Sequence, residues 1–404
     1  MIKVLSGFLA AKIVAVYTGF AGVAMVGQFS NFISIVLNFA NGAINNGIVK
    51  YTAEYNDDEQ KLKNLFSTAL KISMYCSAVT GIILIAFAGF INEHIFKDMP
   101  FTYIIRIFGF TVFFYALNTL LIAILNGKRE IRKYTIVNTA GSVSGLLITA
   151  ILIYFYKIDG ALLSLVITQA SMFFVTAALI TKSKWFTKDY FKMPFNKAMA
   201  KKLSHYSLMS LVSILTVPVA QIILRNMIIT RLGIKDAGLW QGMMKISDGY
   251  LLIVTTALST YYLPKLSSLQ TNEGLRREII NGFKVIIPFV LGGCMLIFLL
   301  RFFIIKTLYT QDFTEMESLF KWQLAGDVLK IASFLFGYVM VAKSMTRYYI
   351  ATEIIFNICY VLFTHFFITY FKLEGAAIAF ALNYLVCFIY MLVVFRKLIF
   401  TNAN

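Results

Sequence analysis

The stretch Tyr156-Lys-Ile-Asp-Gly-Ala161 returns as Phe371-Lys-Leu-Glu-Gly-Ala376, which is 215 residues further along the chain. The same spacing relates a second set of residues, in which Lys128, Arg132 and Tyr134 return as Lys343, Arg347 and Tyr349. One spacing shared by separate segments indicates an internal repeat. Because both copies lie between long apolar runs, the repeat predicts two similar bundles of membrane helices, as in transporters whose halves move against each other.

The composition of the 404-residue chain is that of an integral membrane protein. Hydrophobic residues make up 59% of it, charged residues 14%, and the mean hydropathy is +0.77. A soluble protein of this length could not bury so much apolar surface. Runs of about twenty apolar residues are long enough to cross the bilayer as helices. We therefore predict an all-α fold with twelve transmembrane helices in two pseudo-symmetric six-helix bundles, the helices lying near 3–17, 23–48, 64–90, 102–126, 134–156, 160–181, 204–230, 236–260, 279–301, 317–342, 348–371 and 375–396.

The net charge of +18 is distributed unevenly between alternate loops. The loops on one side of the predicted membrane carry 22 basic residues and the loops on the other side carry 7. This asymmetry predicts that the basic side, with both termini, is cytoplasmic, and it disfavours nucleic acid as a partner. We expect an N-terminal bundle at 1–181, a basic cytoplasmic linker at 182–203 and a C-terminal bundle at 204–404.

The cysteines and the first apolar segment suggest no further chemistry. Cys76, Cys294, Cys359 and Cys387 all fall inside predicted spans, at spacings that match neither a disulfide framework nor a metal site. We expect no metal and no cofactor. Lys12 interrupts the first apolar run, and that run is needed to match the seventh span, so we interpret it as a retained helix and not as a signal peptide.

Four cations lie deep within predicted spans, namely Lys12, Arg225, Lys245 and Lys330. A charge at mid-membrane costs about 2.5–3.5 kcal/mol, so such residues usually face a polar cavity or a partner. Clustered Lys and Arg side chains are typical of sites for phosphate. We therefore predict that these four bind an anionic substrate and that Gln241 and Tyr250 contact its sugars. For the neighbouring Trp240 and Trp322, a place in the interfacial aromatic belt is the alternative.

The three acids within predicted spans are Asp248, Asp327 and Glu353. Asp248 follows Lys245 by three residues, and Asp327 precedes Lys330 by three, so each pair shares a helix face and could form an ion pair. Simple mutual neutralisation is one interpretation. The other is ion coupling, in which these carboxylates bind H⁺ or Na⁺ and exchange partners as the substrate arrives.

Three stretches of the chain resemble Wzx-type flippases of lipid-linked oligosaccharides, which include those for O-antigen and enterobacterial common antigen. They are residues 238–250 (GLWQGMMKISDGY), 322–330 (WQLAGDVLK) and 262–266 (YLPKL). The similarity extends over nearly the whole chain. It implies the fold of the multidrug/oligosaccharidyl-lipid/polysaccharide exporter superfamily, with two six-helix bundles.

The resemblance also implies a function. The substrate would be an undecaprenyl-pyrophosphate-linked oligosaccharide, turned over from the cytoplasmic to the periplasmic leaflet of the bacterial inner membrane by alternating access. H⁺ or Na⁺ would drive the cycle, and the polymerase and chain-length regulator of the same glycan pathway would be partners. No enzymatic activity is implied.

Two other classes remain open. A cation-coupled small-molecule antiporter of the same superfamily would share the fold. A membrane enzyme, such as a polymerase or ligase of surface glycans, usually needs a sizeable periplasmic loop. The external loops at 91–101 and 302–316 are too short for a catalytic domain.

Overall fold

The computed structural model describes residues 2–96, 99–183, 185–269, 271–343 and 345–400, and the side chains of residues 205–214 and 400 are not part of the description. In these ranges all regular structure is helical. The α-helices are α1 Ile2–Ala40, α2 Asn45–Glu54, α3 Glu59–Ala86, α4 Ala88–Phe96, α5 Thr102–Gly127, α6 Ile131–Thr181, α7 Lys197–Leu232, α8 Ile234–Ala257, α9 Leu263–Ser268, α10 Asn272–Leu299, α11 Arg301–Leu308, α12 Glu317–Ala342, α13 Thr346–Val394 and α14 Arg396–Phe400.

Three of the helices are much longer than one membrane crossing, and each contains a break. Helices α1, α6 and α13 have 39, 51 and 49 residues, and the backbone leaves the helical region at Gly19, Lys157 and Lys372 respectively. In the described ranges, eight helices are long and apolar enough to cross a membrane, these three among them. When each of the three is divided at its break and α8 is added, the described ranges contain twelve segments of membrane length, the number predicted.

The breaks at Lys157 and Lys372 have nearly the same geometry. Lys157 has φ 51° and ψ −123°, and Lys372 has φ 48° and ψ −133°. A side chain at Gly160 would lie 2.0 Å from the carbonyl oxygen of Leu152, and one at Gly375 would lie 2.3 Å from that of Phe367. Glycine is therefore needed three residues after each break, because the backbone there passes close to the helix that precedes the break.

An acid follows each break and accepts a hydrogen bond from an aromatic side chain. The hydroxyl of Tyr103 on α5 donates to Asp159 at 2.7 Å, and the indole N–H of Trp322 on α12 donates to Glu374 at 2.9 Å. The repeat that the sequence predicts is thus a repeat of three-dimensional structure.

The second predicted span ends earlier than expected. We predicted it at 23–48, but α1 ends at Ala40 and a separate helix, α2, begins at Asn45. Gly42 and Ala43 both have positive φ values, of 59° and 53°, which a continuous helix cannot accommodate. The apolar character continues through this turn because Ile44 and Ile48 are buried in the protein interior, and so hydropathy alone does not locate the end of the helix.

Two compact units divide the chain. One comprises residues 1–18 and 25–222, and the other comprises residues 19–24 and 223–404. The stretch 185–203 packs within the first unit, where Tyr190, Met199 and Leu203 join a cluster with residues of α2, α3 and α5. The domain limits at 181 and 203 stay a prediction.

Each unit has a buried apolar cluster near the helix ends that adjoin its basic loops. In the first unit it includes Leu65 and Ile124, and in the second it includes Leu266 and Phe336. Other large apolar side chains are exposed, such as Phe110 at 70% and Phe289 at 69%. Exposed apolar faces on this scale are expected where lipid tails replace water around the protein.

Candidate functional site

The predicted site residues fall into both units. Lys12 is on the first half of α1, in the first unit, and is partly exposed. All the others belong to the second unit, and each unit is described by itself. They are Arg225 on α7, Gln241, Lys245, Asp248 and Tyr250 on α8, Asp327 and Lys330 on α12, and Glu353 on α13.

A buried carboxylate lies at the centre of the polar residues of the second unit. Asp327 has no exposed surface. The hydroxyl of Ser247 lies 2.7 and 2.6 Å from the two carboxylate oxygens, and the hydroxyl of Tyr250 donates to Oδ2. The side-chain amide of Gln323 approaches both Oδ1 and the Ser247 hydroxyl at 3.5 Å. Asp327 is therefore an acceptor for three side chains from two helices.

Helical periodicity brings these groups together. Ser247 and Tyr250 are three residues apart on α8, and Gln323 and Asp327 are four apart on α12. Residues at these spacings share one face of a helix, so each helix presents two polar groups to the other. Tyr250 reaches further, and its hydroxyl lies 3.7 Å from the sulfur of Cys294 on α10.

Arg225 is also completely buried, in contact with α8. Its guanidinium donates to the side-chain oxygen of Gln241 and lies 5.4 Å from the ring centroid of Trp240. The two partners occupy adjacent positions on α8. The indole of Trp240 is 1% exposed, so Trp240 packs within the protein and not in an interfacial belt. Gln241, predicted to contact sugars, has Arg225 as its partner.

Lys330 is partly exposed, and its amine is surrounded by aromatic rings. The ammonium nitrogen lies 5.9 Å from the ring centroids of Phe334, Phe380 and Tyr384. This distance is within the range of cation–π attraction, which stabilises a charge that has lost part of its water. Glu353, on α13, is partly buried and interacts electrostatically with Lys330.

The two ion pairs that the spacing allows are not formed. Among the described residues, neither Lys245 with Asp248 nor Lys330 with Asp327 comes within 4.0 Å. Asp327 accepts from hydroxyl groups, whereas Lys330 lies among aromatic rings. Lys245 and Asp248 are both exposed. Spacing of three residues places two side chains on one face, but it does not oblige long side chains to meet when other partners compete.

Sequence reasoning missed Ser247 and assigned Tyr250 a different partner. Both lie in the stretch 238–250 that carries the resemblance, which was the available signal. In the described ranges, no group of three or more His, Cys, Asp or Glu side chains could hold a metal ion. The second unit therefore offers a buried carboxylate that accepts from two hydroxyl groups and is suited to a proton or a monovalent cation. It also offers two amines with exposed surface, those of Lys245 and Lys330, which are suited to an anion.

Comparison with known sequences gives one family match and two relatives that align along nearly the whole chain. The profile of a family described as polysaccharide biosynthesis protein matches residues 21–318. A lipid III flippase of Escherichia coli strain K12 is 31% identical over 388 residues, which is 96% of this chain and 93% of that protein. A lipid III flippase of Shigella flexneri shows the same identity over the same length.

Comparison with solved structures gives the same fold. An inward-facing multidrug resistance MATE family transporter of the MOP superfamily aligns with a TM-score of 0.82 at 16% identity, covering 100% of this chain and 96% of that one. The lipid II flippase MurJ, in an inward closed conformation, aligns with a TM-score of 0.75 at 16% identity, covering 98% and 85%. The predicted fold class is thereby confirmed.

Proposed function

Since the chain belongs to the polysaccharide biosynthesis protein family, we propose that it is a flippase for an undecaprenyl-pyrophosphate-linked oligosaccharide. The membership confirms the resemblance to Wzx-type flippases that residues 238–250 and 322–330 indicate. The observation that carries the proposal is similarity to lipid III flippases along nearly the whole chain. The substrate moves from the cytoplasmic leaflet of the inner membrane, on the basic side of the protein, to the periplasmic leaflet.

The pyrophosphate is the part of this substrate that the exposed cations of the second unit fit. Lys245 lies near the middle of α8 and Lys330 near the middle of α12. A mid-membrane lysine is costly in contact with lipid tails, so both amines serve best in a wet cavity that receives an anion. Arg225 is buried against Gln241 and Trp240, so it adds positive potential to this site and holds the two side chains in position. In the first unit, Lys12 is the residue proposed to bind the pyrophosphate.

Asp327 is the best candidate for coupling to H⁺ or Na⁺. Its carboxylate is buried, and its hydroxyl partners can turn either a proton or a lone pair towards a bound ion. A cation that binds one conformation more tightly shifts the equilibrium between conformations, which is the requirement for driving alternating access. Asp248 and Glu353 stay candidates for the same role. The polymerase and chain-length regulator of the pathway are the proposed partners that receive the product.

Neutralising the mid-membrane amines tests the substrate site. We expect Lys245→Gln and Lys330→Gln each to abolish the surface glycan in a deletion strain, because the pyrophosphate loses a counter-charge. Lys321→Gln, on the same helix as Lys330 but near its end, is the matched control and should restore the glycan fully. The measurement is surface glycan by immunoblot, normalised to the flippase in the membrane fraction. Normal glycan in both variants would refute the assignment of these lysines.

A further inference from the structure

An apolar slot of about 210 Å³ lies in the first unit, on its basic side. Its wall consists of residues from α3, α5, the end of α6 and the stretch that follows α6. The lining residues on the helices are apolar apart from Thr181, whose hydroxyl donates to the carbonyl of Ala178 in its own helix at 3.0 Å. They include Leu70, Leu117, Leu121, Phe173, Ala177 and Ile180.

Phe186 and Phe191 also line the slot, and hydrogen bonds hold their segment on α3. The hydroxyl of Ser67 donates to the carbonyl of Tyr190 at 3.0 Å and accepts from the backbone N–H of Met193 at 2.9 Å. The amine of Lys71 donates to the carbonyl of Met193 at 2.9 Å. The segment is thus a fixed wall of the first unit.

Two exposed lysines lie next to lining residues in the sequence, and we assign them to the cationic rim of the slot. Lys182 directly follows Thr181, and Lys192 directly follows Phe191, so each is the chain neighbour of a lining residue. Lys192 pairs with Asp189 at 2.9 Å, and both side chains are well exposed, at 69% and 64%. An ion pair so exposed is worth little, and it leaves the amine available to a stronger anion.

We propose that the slot holds one acyl chain of an anionic phospholipid, with the phosphate at Lys182 and Lys192. From Thr181 to Phe173 the slot extends along about 12 Å of helix, at about 1.5 Å per residue, which suits the upper part of a single chain. An apolar wall below a cationic rim complements a lipid with a negative headgroup. The positive-inside rule assigns this rim to the cytoplasmic leaflet.

Lipid binding to the purified full-length protein tests the proposal. Native mass spectrometry with phosphatidylglycerol and with phosphatidylcholine of the same chains should show preferential retention of phosphatidylglycerol. Lys182→Gln combined with Lys192→Gln should weaken its binding about 30-fold, because a lysine near an anionic headgroup strengthens binding roughly fivefold. Lys197→Gln combined with Lys201→Gln removes the same charge from the first turns of α7, none of whose residues line the slot, and should leave the binding nearly unchanged.

The slot itself is tested by filling it. Ala177→Trp places a bulky side chain in the slot and should abolish the retained lipid, whereas Ala178→Trp, on the next, exposed position of the helix, should not. Equal loss in both lysine double variants, or retention in Ala177→Trp, would overturn the proposal. So would a polyprenyl phosphate that displaces phosphatidylglycerol at equal concentration, since the slot would then serve an isoprenoid chain.

Discussion

At Asp327, two hydroxyl groups and an amide converge on a carboxylate that has no exposed surface. The sequence could identify the carboxylate, because an acid in an apolar run is conspicuous. It could not identify Ser247 as a partner, because a serine in a helix is unremarkable until the facing helix is known. Nor could it decide whether Asp327 pairs with Lys330, since spacing along one helix says nothing of the side chains opposite.

Asp327→Asn should abolish flipping while the protein stays at its normal level in the membrane. Asparagine keeps the shape of the side chain but removes the negative charge that a coupling cation requires. Surface glycan in a complemented deletion strain is the readout, and Asp312→Asn, at an exposed position outside the long helices, is the control. Full activity of Asp327→Asn would exclude coupling through this carboxylate.

Ser247→Ala should destabilise the protein by about 1–3 kcal/mol, because it leaves buried carboxylate oxygens with one donor fewer. The expected result is a lower melting temperature of the purified protein in detergent. Ser267→Ala removes an exposed hydroxyl that donates to its own helix, and it should have almost no effect. Equal melting temperatures for the two variants would contradict the described geometry.

At the scale of the helices, the paired breaks at Lys157 and Lys372 explain the repeat. The sequence predicts a boundary between spans there because the apolar runs are interrupted by Lys, Asp or Glu and Gly. What it could not predict is a positive φ at lysine, since glycine is the residue that normally takes this conformation. The early end of α1 was missed because the residues beyond it are buried in protein.

Replacing either lysine by glycine should stabilise the protein by about 1 kcal/mol. The strain of a non-glycine residue at positive φ, about 1–3 kcal/mol, would be relieved, and the greater freedom of glycine in the unfolded chain would offset part of the gain. Lys321→Gly, inside a regular helix, should instead destabilise by about 1 kcal/mol. Thermal unfolding in detergent should show a higher melting temperature for Lys157→Gly and Lys372→Gly and a lower one for Lys321→Gly. A lower melting temperature in both break variants would contradict the strain at the breaks.

Gly160→Ala and Gly375→Ala should each cost about 1–3 kcal/mol, since the added methyl group would overlap a backbone carbonyl. The level of folded protein in the membrane and its melting temperature should both fall. Gly89→Ala is the control, because a side chain there meets nothing within 4 Å. Similar behaviour of all three variants would mean that the close approach at the breaks does not exist.

At the scale of the whole molecule, composition and the internal repeat predicted a twelve-helix membrane protein in two bundles, and the comparisons confirm its fold and family. The sequence could not show where the apolar cores lie. In a membrane protein both the lipid-facing and the buried surfaces are apolar, so hydropathy does not separate Phe289, which is exposed, from Phe336, which is buried.

The most direct measurement of the central claim is the lipid content of a strain that lacks this protein and any redundant flippase. Lipid extraction and mass spectrometry should show accumulated undecaprenyl-pyrophosphate-linked oligosaccharide, with loss of the matching surface polymer and restoration of both by the wild-type gene. The mass of the accumulated lipid would identify the glycan. No accumulation, together with altered resistance to small molecules, would contradict the flippase and favour an antiporter with the same fold.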